Sequence, residues 1–263
     1  MNPIVLHPLD LAIAASLLAV DAVLSIVLGL RLHGKIIVAG LRMVLQLTVI
    51  GFLLRFVFAL HQPAVTALLI LIMVLIAARE AAARPERRFK QAAGFWISLS
   101  AIASATVLTA LFALTTALRP HPWYEARYAI PLAGILLGNI LNATSLTLDS
   151  FLGGVNRQKT AIEARLCLGA SFWEAIIPFL RDAVRRGLVP IVNQMSAAGV
   201  VTLPGIMTGQ ILGGLDPIEA LKYQILLMFL LSGGSGLAAV GVAYLLARRL
   251  TDPRERLRLD RLE

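Results

Sequence analysis

The groups in this chain with chemistry of their own are a few carboxylates, four imidazoles, one thiol and a lysine beside a threonine. Asp10 and Asp21 stand eleven residues apart in an apolar stretch, near one face of a helix but about 16 Å apart in height. That is too far for a general acid-base pair. His7, His33, His61 and His121 are scattered, and neither H-E-x-x-H nor any zinc-type cluster occurs. A single cysteine, Cys167, excludes an internal disulfide. The stretch GGVNRQKT (153–160) comes near the phosphate-binding pattern G-x-x-x-x-G-K-[ST], with Gly153, Lys159 and Thr160 at the right offsets. Gln158 replaces its second glycine, however, and an apolar run rather than a strand precedes it. It reads as a loop capped by Thr160, with Glu163 completing a capping box at a helix start. Nothing here assembles a catalytic or nucleotide-binding site.

Other informative side chains are polar or helix-breaking residues set in apolar surroundings. Arg42 and Gln46 lie one turn apart, and a buried arginine needs a partner. Asp21 is the candidate for a structural ion pair with it. Asn139 and Asn142 share a helical face that could line the translocation pathway or hydrogen-bond a neighbouring helix, with Gly134 and Gly138 on a close-packing stripe. Further on come Pro190, then the candidate pathway or gate residues Asn193, Gln194, Met195, Thr202, Pro204-Gly205, Met207 and Gln210. That helix should be interrupted near residue 204, and freed carbonyls inside a membrane are tolerated only against protein or a wet cavity. TLPGIMTGQ (202–210) is therefore the leading translocation-pathway or gate segment. The competing reading is a packing kink whose carbonyls are met by Thr202 or Thr208.

The elements that must position these residues are membrane spans. The 263 residues are 58% hydrophobic and only 15% charged, with mean hydropathy +0.81, against about 25% charge in soluble domains. Apolar runs at 9–30, 36–60, 63–78, 93–118, 128–150, 187–212 and 217–247 mostly meet the roughly 17–25 residues that a spanning helix needs. The expected fold is all-α and polytopic, one transmembrane domain over 1–263 with about seven spans and a cytoplasmic segment at 151–186. The opening MNPIVLHPLD lacks a basic n-region, so the first run is read as a retained span. Net charge is +9. Loops 31–35 and 79–90, segment 151–186 and the tail 248–263 hold 19 of the 24 Lys and Arg, while only Arg119 and Arg127 lie in loops on the other side. The positive-inside rule then puts the N-terminus outside and the C-terminus in the cytoplasm. The basicity is an orientation signal reinforced by anionic lipid, with no nucleic-acid partner implied.

Between the fifth and sixth runs lies TAIEARLCLGASFWEA (160–175), a polar helix carrying Ile162, Leu166 and Ala170 on one stripe and Glu163 and Arg165 beside it. It could rest at the lipid interface or serve as a knob for a soluble partner. Glu163, Ala164 and Gly169 have the E-A-x-x-x-x-G spacing of the coupling loop in ATP-binding-cassette permeases. The stretch from Arg181 to Ile225, with GLRMVLQLTVIGFLLRFVF (40–58) and PLAGILLGNILNATSL (131–146), resembles the FetB family of permeases, in matching order over most of 36–230. That family is implicated in iron export, and its plant relatives are linked to aluminium tolerance.

The resemblance implies a permease without chemistry of its own. Two copies of this chain in the cytoplasmic membrane would work with two copies of a separate ATPase, which binds ATP and magnesium, and this chain would bind no cofactor. Glu163, Ala164, Arg165, Leu166, Leu168, Gly169 and Ala170 would form the ATPase contact. The basic run Arg181, Arg185, Arg186 either joins them or anchors the span. The family's sixth-span pattern is close to N-S-M-M-x-x-G. Here NQMSAAG keeps Asn193, Met195 and Gly199 but has Gln194 and Ser196, which removes one of two neighbouring thioethers. Iron or a related metal species is the implied cargo. The alternatives are a metal chelate or organic solute, or an ATPase-coupled machine that transmits force without moving cargo.

Overall fold

The computed structural model describes residues 7–262 except 61, 91, 121 and 123. His61 and His121, and the opening MNPIVL, lie outside the described residues. The chain is all-α. Six helices are long and apolar enough to cross a membrane: Leu9–Val27, His33–Leu60, Pro63–Ala83, Ala93–Leu118, Ala126–Arg157 and Pro217–Arg249. The protein is therefore a polytopic membrane protein. Hydrocarbon offers backbone groups no hydrogen-bond partner, and a helix satisfies them within the segment. Two compact units form, Met1–Gln62 with Leu212–Gly214, and Pro63–Ile211 with Leu215–Glu263.

In the first unit α1 (Pro8–Val27) packs on α2 (His33–Leu60). At Gly40 a Cβ would meet only the tip of the exposed Leu18 side chain, 2.5 Å from its Cδ2, which a rotamer change of that leucine relieves. Asp10 is a cap, its Oδ2 accepting the His7 N–H at 2.8 Å. Asp21 and Arg42 are both exposed.

The second unit contains α3 (Pro63–Ala83), α4 (Ala93–Phe112), α5 (Ala126–Arg157), α6 (Lys159–Cys167), α7 (Phe172–Ala197), all of α8 (Gly205–Leu212) but its last residue, and α9 (Pro217–Arg249). Its membrane core joins α3, α4, α5 and α9 through Ala78, Ile102, Leu136, Ile140 and Ala238. The 63–78 run recruits five more residues, and at about 31 Å α3 is long enough to span.

Three expectations need correction. The run 187–212 is not one span: α7 begins at Phe172 and ends at Ala197, and α8 has only 8 residues, about 12 Å and too short to cross. The interruption falls at 198–204, around the expected position. The 151–186 segment is accordingly no single coupling segment, because α5 runs on to Arg157 and α7 starts at Phe172. Nor does Thr160 cap a helix. It lies inside α6, whose N-cap is Gln158 without a side-chain cap bond, and Glu163 Oε1 instead faces Lys159 Nζ at 3.7 Å. The Gln158 N–H bonds the Gly154 carbonyl and the Ile162 N–H bonds that of Gln158, so bonding passes from α5 into α6 without the break a cap serves.

One end of this unit carries a layer outside the membrane core. Phe151, Leu152 and Val155 of α5, Ile162 of α6 and Phe172 and Ile176 of α7 are buried with Phe89, Leu246, Leu250 and Leu262. The Lys90 N–H donates to the Arg261 carbonyl at 2.9 Å, the Glu86 N–H to Asp149 Oδ1 at 3.1 Å and the Phe172 N–H to Glu255 Oε2 at 2.8 Å. Three of the four basic segments thus share one end, as the one-sided charge distribution requires.

Candidate functional site

The α6 knob is built by its own termination. Gly169 has φ +93°; its N–H bonds the Leu166 carbonyl and the Ala170 N–H that of Arg165, each at 3.1 Å. This is the pair of bonds by which a left-handed residue closes a helix, where glycine is free of the Cβ penalty. Ser171 then opens α7: its hydroxyl accepts the Glu174 N–H at 3.3 Å, while Glu174 Oε2 accepts the Ser171 N–H and hydroxyl at 2.8 Å each. These bonds hold the Glu174 carboxyl below the usual glutamate range, the backbone bond contributing most.

The apolar stripe of this helix faces inward. Ile162 is fully buried, Leu166 packs half-buried on the same cluster, and Ala170 is half-buried. What faces out is Glu163, Ala164, Arg165, Gly169 and Leu168, the last 88% exposed. A pocket of about 240 Å³ between α6 and α7, lined by residues including Ile162, Arg165, Phe179 and Asp182, adjoins this face. In the basic run, Arg186 is held by Asp182 at 2.9 Å.

The second locality is the break after α7. Ala198 is extended and Gly199 has φ +87°. Thr202 Oγ1 donates to the Ala197 carbonyl at 3.3 Å and Thr208 Oγ1 to the Pro204 carbonyl at 3.2 Å. Both carbonyls also accept backbone N–H groups, from Val201 and Thr202 at Ala197 and from Thr208 at Pro204, so the hydroxyls add to bonds already made. A cavity also opens beside the break, of about 500 Å³, where Met195, Pro204 and Met207 meet Gln224, Met228 and Phe229 of α9. Gln224 is 6% exposed and its Oε1 has no hydrogen-bond partner. Gln210 Oε1 on α8 is likewise buried and unpartnered. Asn193 and Gln194 are exposed on α7, and Gly205 opens α8.

The α5 asparagines are not part of this cavity's lining. Asn139 Nδ2 donates to the Ile135 carbonyl of its own helix at 3.2 Å, and Asn142 Oδ1 accepts from Arg84 at 2.9 Å. Gly134 faces the Met73 methyl, 3.3 Å from where a Cβ would stand. No group of three or more His, Cys, Asp or Glu suited to a metal occurs among the described residues. The sequence reading passed over Gln224, although a lone glutamine in the run QILLMFLL is the kind of intramembrane polar residue it singled out elsewhere. It also passed over Ser171 and Glu174, whose S-x-x-E spacing is the capping-box signature.

The sequence has counterparts among known proteins. Residues 8–251 match the model of "Uncharacterised protein family (UPF0014)". A UPF0014 membrane protein of Synechocystis is 39% identical over 230 residues, covering 87% of this chain and 88% of the relative. The UPF0014 membrane protein STAR2 of Oryza sativa is 34% identical over 88% of this chain and 79% of its own length. The "Probable iron export permease protein FetB" of Escherichia coli is 30% identical over 97% of this chain and 96% of its own. No solved structure matches. With nearly all of its length matched, the chain belongs to the UPF0014 family.

Proposed function

We propose that this chain is the membrane permease of a heteromeric ATP-binding-cassette exporter in the cytoplasmic membrane, carrying iron or a related metal species outward. Two copies work with two copies of a separate ATPase, which binds the ATP and magnesium. The observation that carries this reading is the α6 knob, whose apolar stripe anchors it to the bundle while Glu163, Arg165 and an 88% exposed Leu168 face outward. An interfacial helix would turn its apolar side toward lipid; this one turns it into the protein and leaves a polar face with one exposed leucine, suited to a soluble partner. The name of the Escherichia coli relative supports a transporter rather than an enzyme, and supports iron as cargo.

The test uses vesicles containing this chain and the ATPase encoded beside it, with the chain alone as control. Iron should move only with both chains and ATP. Glu163→Lys with Leu168→Glu leaves the Gly169 turn intact, so the variant should insert normally but lose at least about 90% of ATPase copurification, consistent with a disrupted interface hot spot. Normal copurification with normal stimulated hydrolysis would reject the coupling role. ATP hydrolysis without iron movement would keep the permease and discard the ion as cargo.

A further inference from the structure

Near the basic end, α7 and α9 leave an open groove of about 460 Å³ between them. Leu180 and Val184 of α7 and Val240 and Ala243 of α9 form its walls, and Arg181, Arg185 and Tyr244 complete the lining. The two arginines are exposed and four residues apart, one turn along a helix, where like charges repel. The carboxylate of their own run is taken: Asp182 is held by Arg186 at 2.9 Å. Among the described residues neither Arg181 nor Arg185 makes an ion pair. A third cation stands close by, the Arg248 guanidinium 5.3 Å from the centre of the Tyr244 ring, on which Trp173 stacks at 5.5 Å.

The depth of the groove says what can reach it. The 33 residues of α9 make about 50 Å of helix, which centred on about 30 Å of hydrocarbon extends about 10 Å beyond it at each end. Tyr244 and Val240 lie about 8 and 14 Å from the end at Arg249, so the groove straddles the boundary between acyl chains and headgroups, the level that Trp and Tyr favour. A soluble protein does not reach walls at that depth, and a soluble anion has no use for them. A phospholipid meets both parts, a phosphate for two guanidinia and a chain for the apolar walls. Hydrocarbon is as apolar as those walls, so chains alone discriminate little and the headgroup charge decides occupancy. The positive-inside rule places this end at the cytoplasmic leaflet, which carries the anionic lipids.

We infer that this groove seats one anionic phospholipid, its phosphate bridging Arg181 and Arg185 and an acyl chain lying against Leu180, Val184 and Val240. The phosphate relieves the repulsion between the two guanidinia, whereas a zwitterionic headgroup brings a cation of its own beside them. The arginines are then ligands of a discrete site, beyond any general bias of charge toward one side. The inference depends neither on transport nor on an ATPase.

The probe is dioleoyl phosphatidylglycerol, with dioleoyl phosphatidylcholine as the zwitterion of equal chains. Each is titrated onto the full chain in detergent micelles, and bound lipids are counted by native mass spectrometry. Phosphatidylglycerol should fill one site per chain about 25-fold more tightly, about fivefold for each of two arginines. Arg181→Gln with Arg185→Gln should abolish that preference. Arg31→Gln with Lys35→Gln removes as much charge from another basic loop and should preserve it. Val240→Trp keeps every charge but fills the groove, and should weaken phosphatidylglycerol by about tenfold or more. Unfolding midpoints in lipid-free detergent report that the variants are folded.

Equal affinity for the two lipids in the unmodified chain would overturn the proposal without recourse to any variant. So would equal losses in the two double variants, the pattern of diffuse surface charge. Displacement of the lipid by excess glycerol phosphate would replace it with a soluble-anion site. Loss of ATPase copurification in Arg181→Gln with Arg185→Gln, with the lipid preference intact, would assign the run to the ATPase contact instead.

Discussion

A single hydrogen atom at position 187 sets how closely α5 and α7 approach. A Cβ on Gly187 would lie 2.2 Å from Thr147 Oγ1 and 2.9 Å from the Ala143 carbonyl, distances that no rotamer change at residue 187 relieves. Thr147 cannot simply swing aside, because its hydroxyl already donates to that carbonyl at 2.8 Å. Gly187→Ala should therefore destabilise the chain by about 1–3 kcal/mol, the usual cost of overpacking, seen as a lower unfolding midpoint in detergent. Adding Thr147→Ala removes the hydroxyl but not the carbonyl, so it should restore only part of the loss. Full stability of the single variant would mean that the two helices are not this close. Gly234 on α9 serves a similar end, 3.2 Å from Ile140 Cδ1 and Thr109 Oγ1 where its Cβ would be. The small-residue run SGGSG thus contributes to packing within the chain.

Helix ends explain which elements could be read in advance. Runs of apolar residues marked six spans, since hydrocarbon leaves a helix as the only way to satisfy the backbone. The charges of α7 hid the next helix, because Glu174, Arg181, Asp182, Arg185 and Arg186 all fall before residue 187 and only 187 onward looks like lipid-soluble sequence. The break near Pro204 was legible from Pro204-Gly205, yet the cavity was not, because its far wall belongs to α9 and no local pattern records that meeting. The capping box was read one loop too early: Thr160–Glu163 has the spacing, but α5 continues almost into α6 and leaves no free N–H groups to cap. Ser171–Glu174 makes the real box, and Ser171→Ala should cost about 1 kcal/mol. Because the folded Glu174 carboxyl is held below its ordinary value, its contribution is complete above that ordinary value and disappears as pH falls through the lowered one. Hydrogen-exchange protection at the Ser171 amide, which donates to Glu174 Oε2, should follow that course in the parent chain and lose the step in Glu174→Gln. A step at the same pH in the variant would assign the titration to another group.

At the scale of the whole second unit, the C-terminal tail is the strap that joins the basic end into one layer. Asp252 accepts from the Arg256 side chain at 2.8 Å and from the Arg254 and Arg256 amides, and Arg258 pairs with Asp260 at 2.7 Å. The Arg256 bonds hold the Asp252 carboxyl at about 2, and the Arg258 guanidinium holds Asp260 at about 2. With folded values lowered, these links are at full strength above the ordinary aspartate range and fail only as pH falls through about 2, so the strap is constant at neutral pH. From it Glu255 reaches the first amide of α7, Arg261 meets Lys90, and Leu262 closes over Phe89. Removing 251–263 strips all three contacts while leaving every apolar helix in place. The truncated chain should insert normally, lose exchange protection at the Lys90 and Phe172 amides by tenfold or more, and retain less ATPase, because the α6–α7 turn that presents Leu168 loses its brace. Glu255→Ala should reproduce the Phe172 loss alone. Full ATPase retention without the tail would show that α6 is held by Ile162 and its apolar neighbours unaided, and would reduce the tail's arginines to orientation signals at the membrane surface.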